Sequence, residues 1–300
     1  MNPPIQPPPQ DRLLDSVDHS RDSAGMTYVY PVVSRRAGGV SVGINLNPNN
    51  ACNWRCIYCQ VPNLTRGNAP VIDMGLLEME LRTMLEDLLH GDFMARRVPE
   101  GARRIEDIAF SGNGEPTSAR EFPAAIELAR RLIGEYRLTA KLRLITNGSL
   151  LDKPVVREGI AHLGASNGEV WFKLDAGTRE GMARINSVDL DPAGVARRLA
   201  ACAELCPTWV QTCCFTLDGM PPSEAEISAW LAILQQAQAT LNEPRGTGGV
   251  SANLAGVHLY GLARPSLQNE APRLGKLPPA WLEALAERVR QLGLSVRVSP

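Results

Sequence analysis

Cys52, Cys56 and Cys59 fall within eight positions, in the stretch NPNNACNWRCIYCQVPN (47–63), with the spacing C-x3-C-x2-C. Thiolates at i, i+4 and i+7 on a loop can converge on one face of a metal cluster, and such soft ligands select iron–sulfur, zinc or copper. A structural zinc site closes with four ligands, usually from two Cys or Cys/His pairs. No second pair with that spacing lies nearby, and the four histidines, His19, His90, His162 and His258, are scattered. A 4Fe–4S cluster used for electron transfer also normally takes four cysteines. Three thiolates therefore point to an iron with an exchangeable position, as open coordination does in catalytic metal sites.

The elements that must position this loop form an alternating series. TYVYPVV and GGVSVGINLN read as short strands joined around Ser34-Arg35-Arg36 and a glycine pair, and the cysteine loop follows directly. MGLLEMELRTMLEDLLHG carries a helical stripe of Leu77, Leu81, Met84, Leu85 and Leu88. Strands are then expected at 106–112, 141–148, 169–175, 208–215, 255–261 and 294–299. Helices are expected between them at 119–135, 152–163, 191–205, 222–241 and 278–292. Such alternation implies right-handed β/α units on a parallel sheet. Six units plus a terminal strand are too few for a closed eight-fold barrel, so an α/β, partial open (β/α)6 barrel is expected. No internal boundary is visible: residues 26–300 read as one core domain, with short strands over 27–40 and the β/α core from about 41. The proline-rich, aperiodic residues 1–25 read as a disordered leader.

Composition bounds the rest. A chain of 300 residues with 44% hydrophobic content can build a sizeable core, and its net charge of −1 gives no global pull toward nucleic acid or anionic membrane. That counts against a large RNA partner without excluding a local basic patch. No apolar run of about 18 residues suggests a membrane span. Seven cysteines, an odd number, and no export signal point to a reducing cytoplasm.

The C-x3-C-x2-C loop after a first strand, with an aromatic, Tyr58, before the third cysteine, resembles the signature of the radical S-adenosylmethionine (SAM) superfamily. The resemblance implies a 4Fe–4S cluster whose three irons are held by Cys52, Cys56 and Cys59, the fourth being chelated by SAM. It implies reductive cleavage of SAM to a 5′-deoxyadenosyl radical that abstracts hydrogen from a substrate, with a flavodoxin or ferredoxin as reductant. SGNGEPT (111–117) resembles the superfamily's glycine-glycine-glutamate element. There Gly112, Asn113 and Gly114 would admit the methionine end of SAM, and Glu115 would meet its ammonium group. The bland reading is an ordinary strand-to-loop turn. Asn147 in TNG could meet the SAM carboxylate or ribose, or be a plain Asn-Gly turn. Lys173 and Asp175 in FKLDAG share one side by strand alternation and could bind the SAM carboxylate and a ribose hydroxyl, or form a buried ion pair. Asn186 in RIN is a weaker candidate. Tyr58 would pack near the adenine, or be a core aromatic under the loop. Arg35 and Arg36 could bind an anion or form a solvated turn.

Cys202, Cys206, Cys213 and Cys214 read first as buried small hydrophobes. An auxiliary cluster is disfavoured because adjacent Cys213 and Cys214 point to opposite strand faces. Cys213, on the face of Gln211, could line the barrel interior and donate a hydrogen atom. Over residues 28–297 the chain further resembles the Fe–S oxidoreductase subgroup related to the wyosine-forming tRNA enzymes, without their flavodoxin-like domain or second cysteine set. Substrate class stays open among an RNA base, a metabolite and a protein side chain. The alternatives are an electron-transfer or metal-binding protein with a fourth protein ligand, and an activating protein acting on a partner enzyme.

Overall fold

The alternating pattern resolves, in a computed structural model describing residues 13–14, 24–34, 38–243 and 253–300, into one eight-stranded sheet flanked by helices. In chain order its strands are β1 (Val29–Ser34), β2 (Gly39–Ile44), β3 (Ile105–Phe110), β4 (Lys141–Thr146), β5 (Gly168–Lys173), β6 (Thr208–Cys214), β7 (Leu254–Gly261) and β8 (Val296–Ser299). Each strand pairs with the next, so spatial order equals chain order. The β1–β2 hairpin is antiparallel and every later pair is parallel. Right-handed crossovers that always advance in one direction place all their helices on one face and leave the other as an interior. The sheet is the expected partial open barrel, six β/α units and a terminal strand.

The principal helices are α1 (Met74–Leu89), α2 (Phe122–Glu135), α3 (Pro154–Gly164), α4 (Arg179–Asn186), α5 (Pro192–Leu205), α6 (Glu224–Asn242) and α7 (Pro279–Arg290). Expected boundaries are met within a few residues, except that α4 has no counterpart in the sequence reading. Alternate strand residues such as Ile44, Phe110, Leu144, Phe172, Val210 and Leu259 are fully buried beneath the helices. Each such side chain contributes about 1.5–3 kcal/mol of burial.

The opposite residues of the same strands build an interior that is polar at its floor. Arg143 donates to Asp107 and, at 2.6 Å, to Glu169, while Ser41 donates to Asp107. Trp171 Nε1 donates to Glu169 at 2.9 Å, and the His258 ring lies between Trp171 and Trp209, with centroids 4.7 and 4.6 Å away. Burial raises the Asp107 carboxyl. Glu169 is held below its usual range despite desolvation, by Arg143 and Lys141.

Most of the expected leader, like Arg35 and Arg36, lies outside the described residues. Within it, Leu14 is buried in the core and donates its N–H to Arg97 O at 2.7 Å. No described helix is long and apolar enough to cross a membrane.

Candidate metal centre at the mouth of the half-barrel

The cysteine loop leaves the C-terminal end of β2 and is pinned by the short ladder Ala51–Cys52 with Thr65–Arg66. Asn50 makes the entry turn in the left-handed region, φ 55°, which asparagine tolerates. A turn bond from Cys59 N–H to Cys56 O, 3.0 Å, brings the second and third cysteines onto one bend. All three thiols are free and partly exposed. Trp54 N–H points at Cys52 Sγ (3.4 Å) and Asn186 Nδ2 at Cys56 Sγ (3.2 Å). Burial pushes the Cys52 thiol up to about 11 and Cys56 up to about 12. A bound metal cation would favour their thiolate forms against this burial.

Two distant segments grip the loop. On one side the end of α4 receives it: Arg55 N–H donates to Asn186 O (3.1 Å), Ile57 N–H to Ile185 O (2.9 Å), and Ser187 Oγ returns a bond to Arg55 O (2.9 Å). On the other, Cys59 O accepts from Leu267 N–H (2.9 Å), Ser266 Oγ (3.2 Å) and Gln268 Nε2 (3.3 Å). A bidentate Arg55–Glu270 pair, 2.9 and 2.8 Å, closes this strap.

The glycine-rich turn after β3 lies against the loop's asparagines. A Cβ on Gly112 would stand 2.3 Å from Asn45 Oδ1, and one on Gly114 would stand 2.1 Å from Ala51 O. Both glycines are thus demanded by the strap leading into Cys52, whatever ligand the turn also serves. Asn113 donates its N–H to Asn45 Oδ1 (3.0 Å) and its amide to Asn50 Oδ1 (2.6 Å). Glu115 is engaged within its own chain. Its buried carboxylate accepts from Thr117 N–H (3.1 Å), Thr117 Oγ1 (2.6 Å), Thr146 Oγ1 (2.6 Å) and Asn147 N–H (2.7 Å), tying the ends of β3 and β4 together. Burial raises its carboxyl against these bonds. Asn147 donates to Asn53 Oδ1 (2.9 Å) and fixes Ser149.

Beyond β5 a compact polar cluster forms. Lys173 Nζ donates to Tyr58 Oη (2.5 Å), Tyr58 Oη donates to Asp175 Oδ2 (2.5 Å), and Asp175 also accepts from Asn186 Nδ2 (2.9 Å) and Cys213 N–H (3.1 Å). Burial opposes the Lys173 charge, yet Asp175 holds the ammonium well above its usual range, while burial drives the Tyr58 phenol up. Tyr58 packs on Phe215, centroids 5.5 Å apart, and under the Lys173 ammonium. A cavity beside this cluster is lined by Trp54, Asn147, Lys173, Asp175, Met182 and Asn186, among others.

The structure therefore gathers Cys52, Cys56, Cys59, Tyr58, Gly112–Glu115, Asn147, Lys173 and Asp175 at the C-terminal ends of the strands, where open α/β sheets place their sites. Cys213 faces the interior beside Asp175, and Cys214 lies on the opposite strand face. Cys202 and Cys206 do not join the group. They are buried at the N-terminal end of β6, Cys202 accepting from Thr208 Oγ1 (3.5 Å), a strand's length of about 20 Å from the mouth. The sequence reading missed the asparagine framework, five residues between 45 and 53, and the 264–270 strap. The asparagine density was itself a signal; the strap had none.

The donor set fits a thiolate-bound cluster: three free thiols on one loop, at least two with N–H groups aimed at sulfur. Among the described residues no three His, Cys, Asp or Glu side chains close around a single-ion position.

Comparison with known proteins agrees. The family model of the Radical SAM superfamily matches residues 46–231. GTPase Obg of Brachyspira hyodysenteriae is 28% identical over 159 residues, 50% of this chain and 21% of that protein. UPF0026 protein slr1464 of Synechocystis is 28% identical over 160 residues, 53% of this chain and 52% of its own. The chain thus spans about half or less of the curated relatives it matches. Among solved structures, SuiB of Streptococcus suis superposes with a TM-score of 0.53 at 13% identity, over 88% of this chain and 49% of that one. A radical SAM methyltransferase from Sphaerobacter thermophilus does so with 0.52 at 14%, over 90% and 68%. At these identities the structural likeness is one of fold.

Proposed function

Because the chain belongs to the radical SAM superfamily, whose members use a 4Fe–4S cluster and SAM, we propose that it is an enzyme whose cluster ligands are Cys52, Cys56 and Cys59. The observation that carries this reading is the set of three free thiols on one loop at the strand C-termini, gripped from both sides. Held by Cys52, Cys56 and Cys59, a 4Fe–4S cluster would supply the electron for reductive cleavage of SAM, from which hydrogen abstraction at the substrate would follow.

The chain's own part is to bind and orient. Gly112 and Gly114 keep the turn after β3 free of side chains beside the loop, leaving the methionine end of SAM room to approach. Glu115 fixes that turn to the start of the 147–149 loop. Asn147, Lys173 and Asp175 offer an amide, an ammonium and a carboxylate suited to the carboxylate and ribose hydroxyls of SAM. Tyr58 holds the last two in register. Cys213, beside Asp175 on the interior face, stands where a thiol could return a hydrogen atom to a substrate radical. A flavodoxin or ferredoxin would serve as reductant, in the cytoplasm. The substrate is one that enters the half-barrel, whether an RNA base, a metabolite or a protein side chain. The UPF0026 relatives fit the Fe–S oxidoreductase group.

Electron transfer with a fourth protein ligand would need Cys213 or a histidine to reach the loop, because Cys202 and Cys206 lie at the far end of β6. The two readings separate by spectroscopy. SAM added to the reduced, reconstituted protein should change the cluster's electron paramagnetic resonance signal, through coordination at an open iron. A signal indifferent to SAM at saturating concentration argues for a closed, four-ligand cluster.

A further inference from the structure

Asn186 is the last residue of α4 and is almost fully buried, 1% exposed. Its Nδ2 stands 3.2 Å from Cys56 Sγ and 2.9 Å from Asp175 Oδ2. The orientation of the amide follows from its surroundings. A carboxylate oxygen only accepts, and so does a metal-bound thiolate, so both neighbours demand the NH2 end. Turning the amide over would set its oxygen against two acceptors. Asp175 is itself fixed by Tyr58 Oη and Cys213 N–H, and the α4 terminus is fixed by the backbone bonds it accepts from Arg55 and Ile57. The start of α4 is equally constrained. Glu226 of α6 accepts from Gly177 N–H, from Thr178 N–H (3.0 Å) and from Thr178 Oγ1 (2.6 Å). The N–H donor is therefore held at the sulfur by the fold rather than by its own rotamer preference.

We propose that Asn186 is a positioning residue that sets the reduction potential of the cluster, and that Asp175 keeps it in its donating orientation. The inference rests on the assignment of Cys56 as a cluster ligand. Hydrogen bonds to cluster sulfurs are among the determinants of iron–sulfur potentials. Reduction adds negative charge that delocalises onto the thiolates, so an N–H aimed at sulfur stabilises the reduced form and raises the potential. The same amide joins the sulfur to the Asp175–Tyr58–Lys173 cluster, so a ligand that engages Lys173 or Asp175 acts on the bond partner of a cluster ligand.

The test is a redox titration of the reconstituted cluster, followed by electron paramagnetic resonance without SAM, in the full-length wild type and in Asn186→Leu, Asn186→Asp and Ser187→Ala. Leucine keeps the volume and deletes the donor; Ser187→Ala loosens the same loop without touching the sulfur. The expected result is a more negative midpoint potential in Asn186→Leu at unchanged iron content, with Ser187→Ala matching the wild type. If Asn186→Leu fails to load iron, Asn186→Asp carries the test and should again be more negative. A potential unchanged in the donor-less variants, or shifted as far in Ser187→Ala, overturns the proposal. A wild type that takes up no four-iron cluster overturns the cluster assignment itself; a wild type that loads normally while the variants show no shift overturns only the role of Asn186.

Discussion

A carboxylate that accepts four hydrogen bonds from its own chain is first of all a structural tie, and Glu115 is such a residue. Replacing it by alanine strands Thr117, Thr146 and Asn147 donors in a buried site, where each unsatisfied group costs about 1–3 kcal/mol. Glu115→Ala should therefore lose several kcal/mol in denaturant unfolding. Glu115→Gln, which turns an NH2 toward donors, should also be destabilised rather than neutral. Glycine at 114 is similarly over-determined: Gly114→Ala drives a methyl into the Ala51 carbonyl, next to Cys52. That variant should retain less iron after reconstitution than wild type, measured by iron and sulfide content. The positions of these residues were legible from the SGNGEPT resemblance. Their reason was not, because the partners, Asn45 and Asn47 in the loop after β2 and Thr146 at the end of β4, come from elsewhere in the chain, and a motif does not report who packs against it.

At the scale of elements, the loop is held by two parts that periodicity could not announce. REGMARIN forms α4, yet it is eight residues long and its buried side chains are Met182, Ile185 and Asn186, too short an apolar stripe to separate from a turn. The strap at 264–270 has no repeating hydrogen-bond pattern, and its role lies in side chains and one N–H meeting the Cys59 carbonyl. The regular strands and helices, by contrast, were readable because alternation of period 2 and stripes of period 3.6 are local properties. Removing both side-chain donors in a Ser266→Ala/Gln268→Ala double variant leaves Cys59 O with Leu267 N–H alone. Each lost bond is worth roughly 0.5–1.5 kcal/mol. The expected outcome is a cluster that bleaches faster in the presence of a chelator, while helix content stays at the wild-type level by circular dichroism.

For the molecule as a whole, one sheet with helices on a single face separates an apolar shell from a polar interior. The residues of that interior were visible as the odd-numbered residues of EDIAF (106–110), KLRLIT (141–146) and EVWFK (169–173), but not that Asp107, Arg143 and Glu169 would meet. Registry across three strands decides that, pairing Asp107 with Lys141 and Arg143 with Glu169. Arg143 is 5% exposed and neutralises two buried carboxylates. Arg143→Met should cost about 3–5 kcal/mol, the range for breaking a buried pair by removing one partner, read as a lowered denaturation midpoint. The fold thus builds a rigid floor at one end of the strands and a gripped cysteine loop at the other. The central claim, that this loop makes SAM a source of radicals, has a direct measurement. Anaerobically reconstituted and reduced protein is incubated with SAM, and 5′-deoxyadenosine is quantified by mass spectrometry beside a Cys56→Ala control. Formation by the wild type and none by the variant is the predicted result; a wild type with an intact, reduced cluster that leaves SAM uncleaved would contradict it.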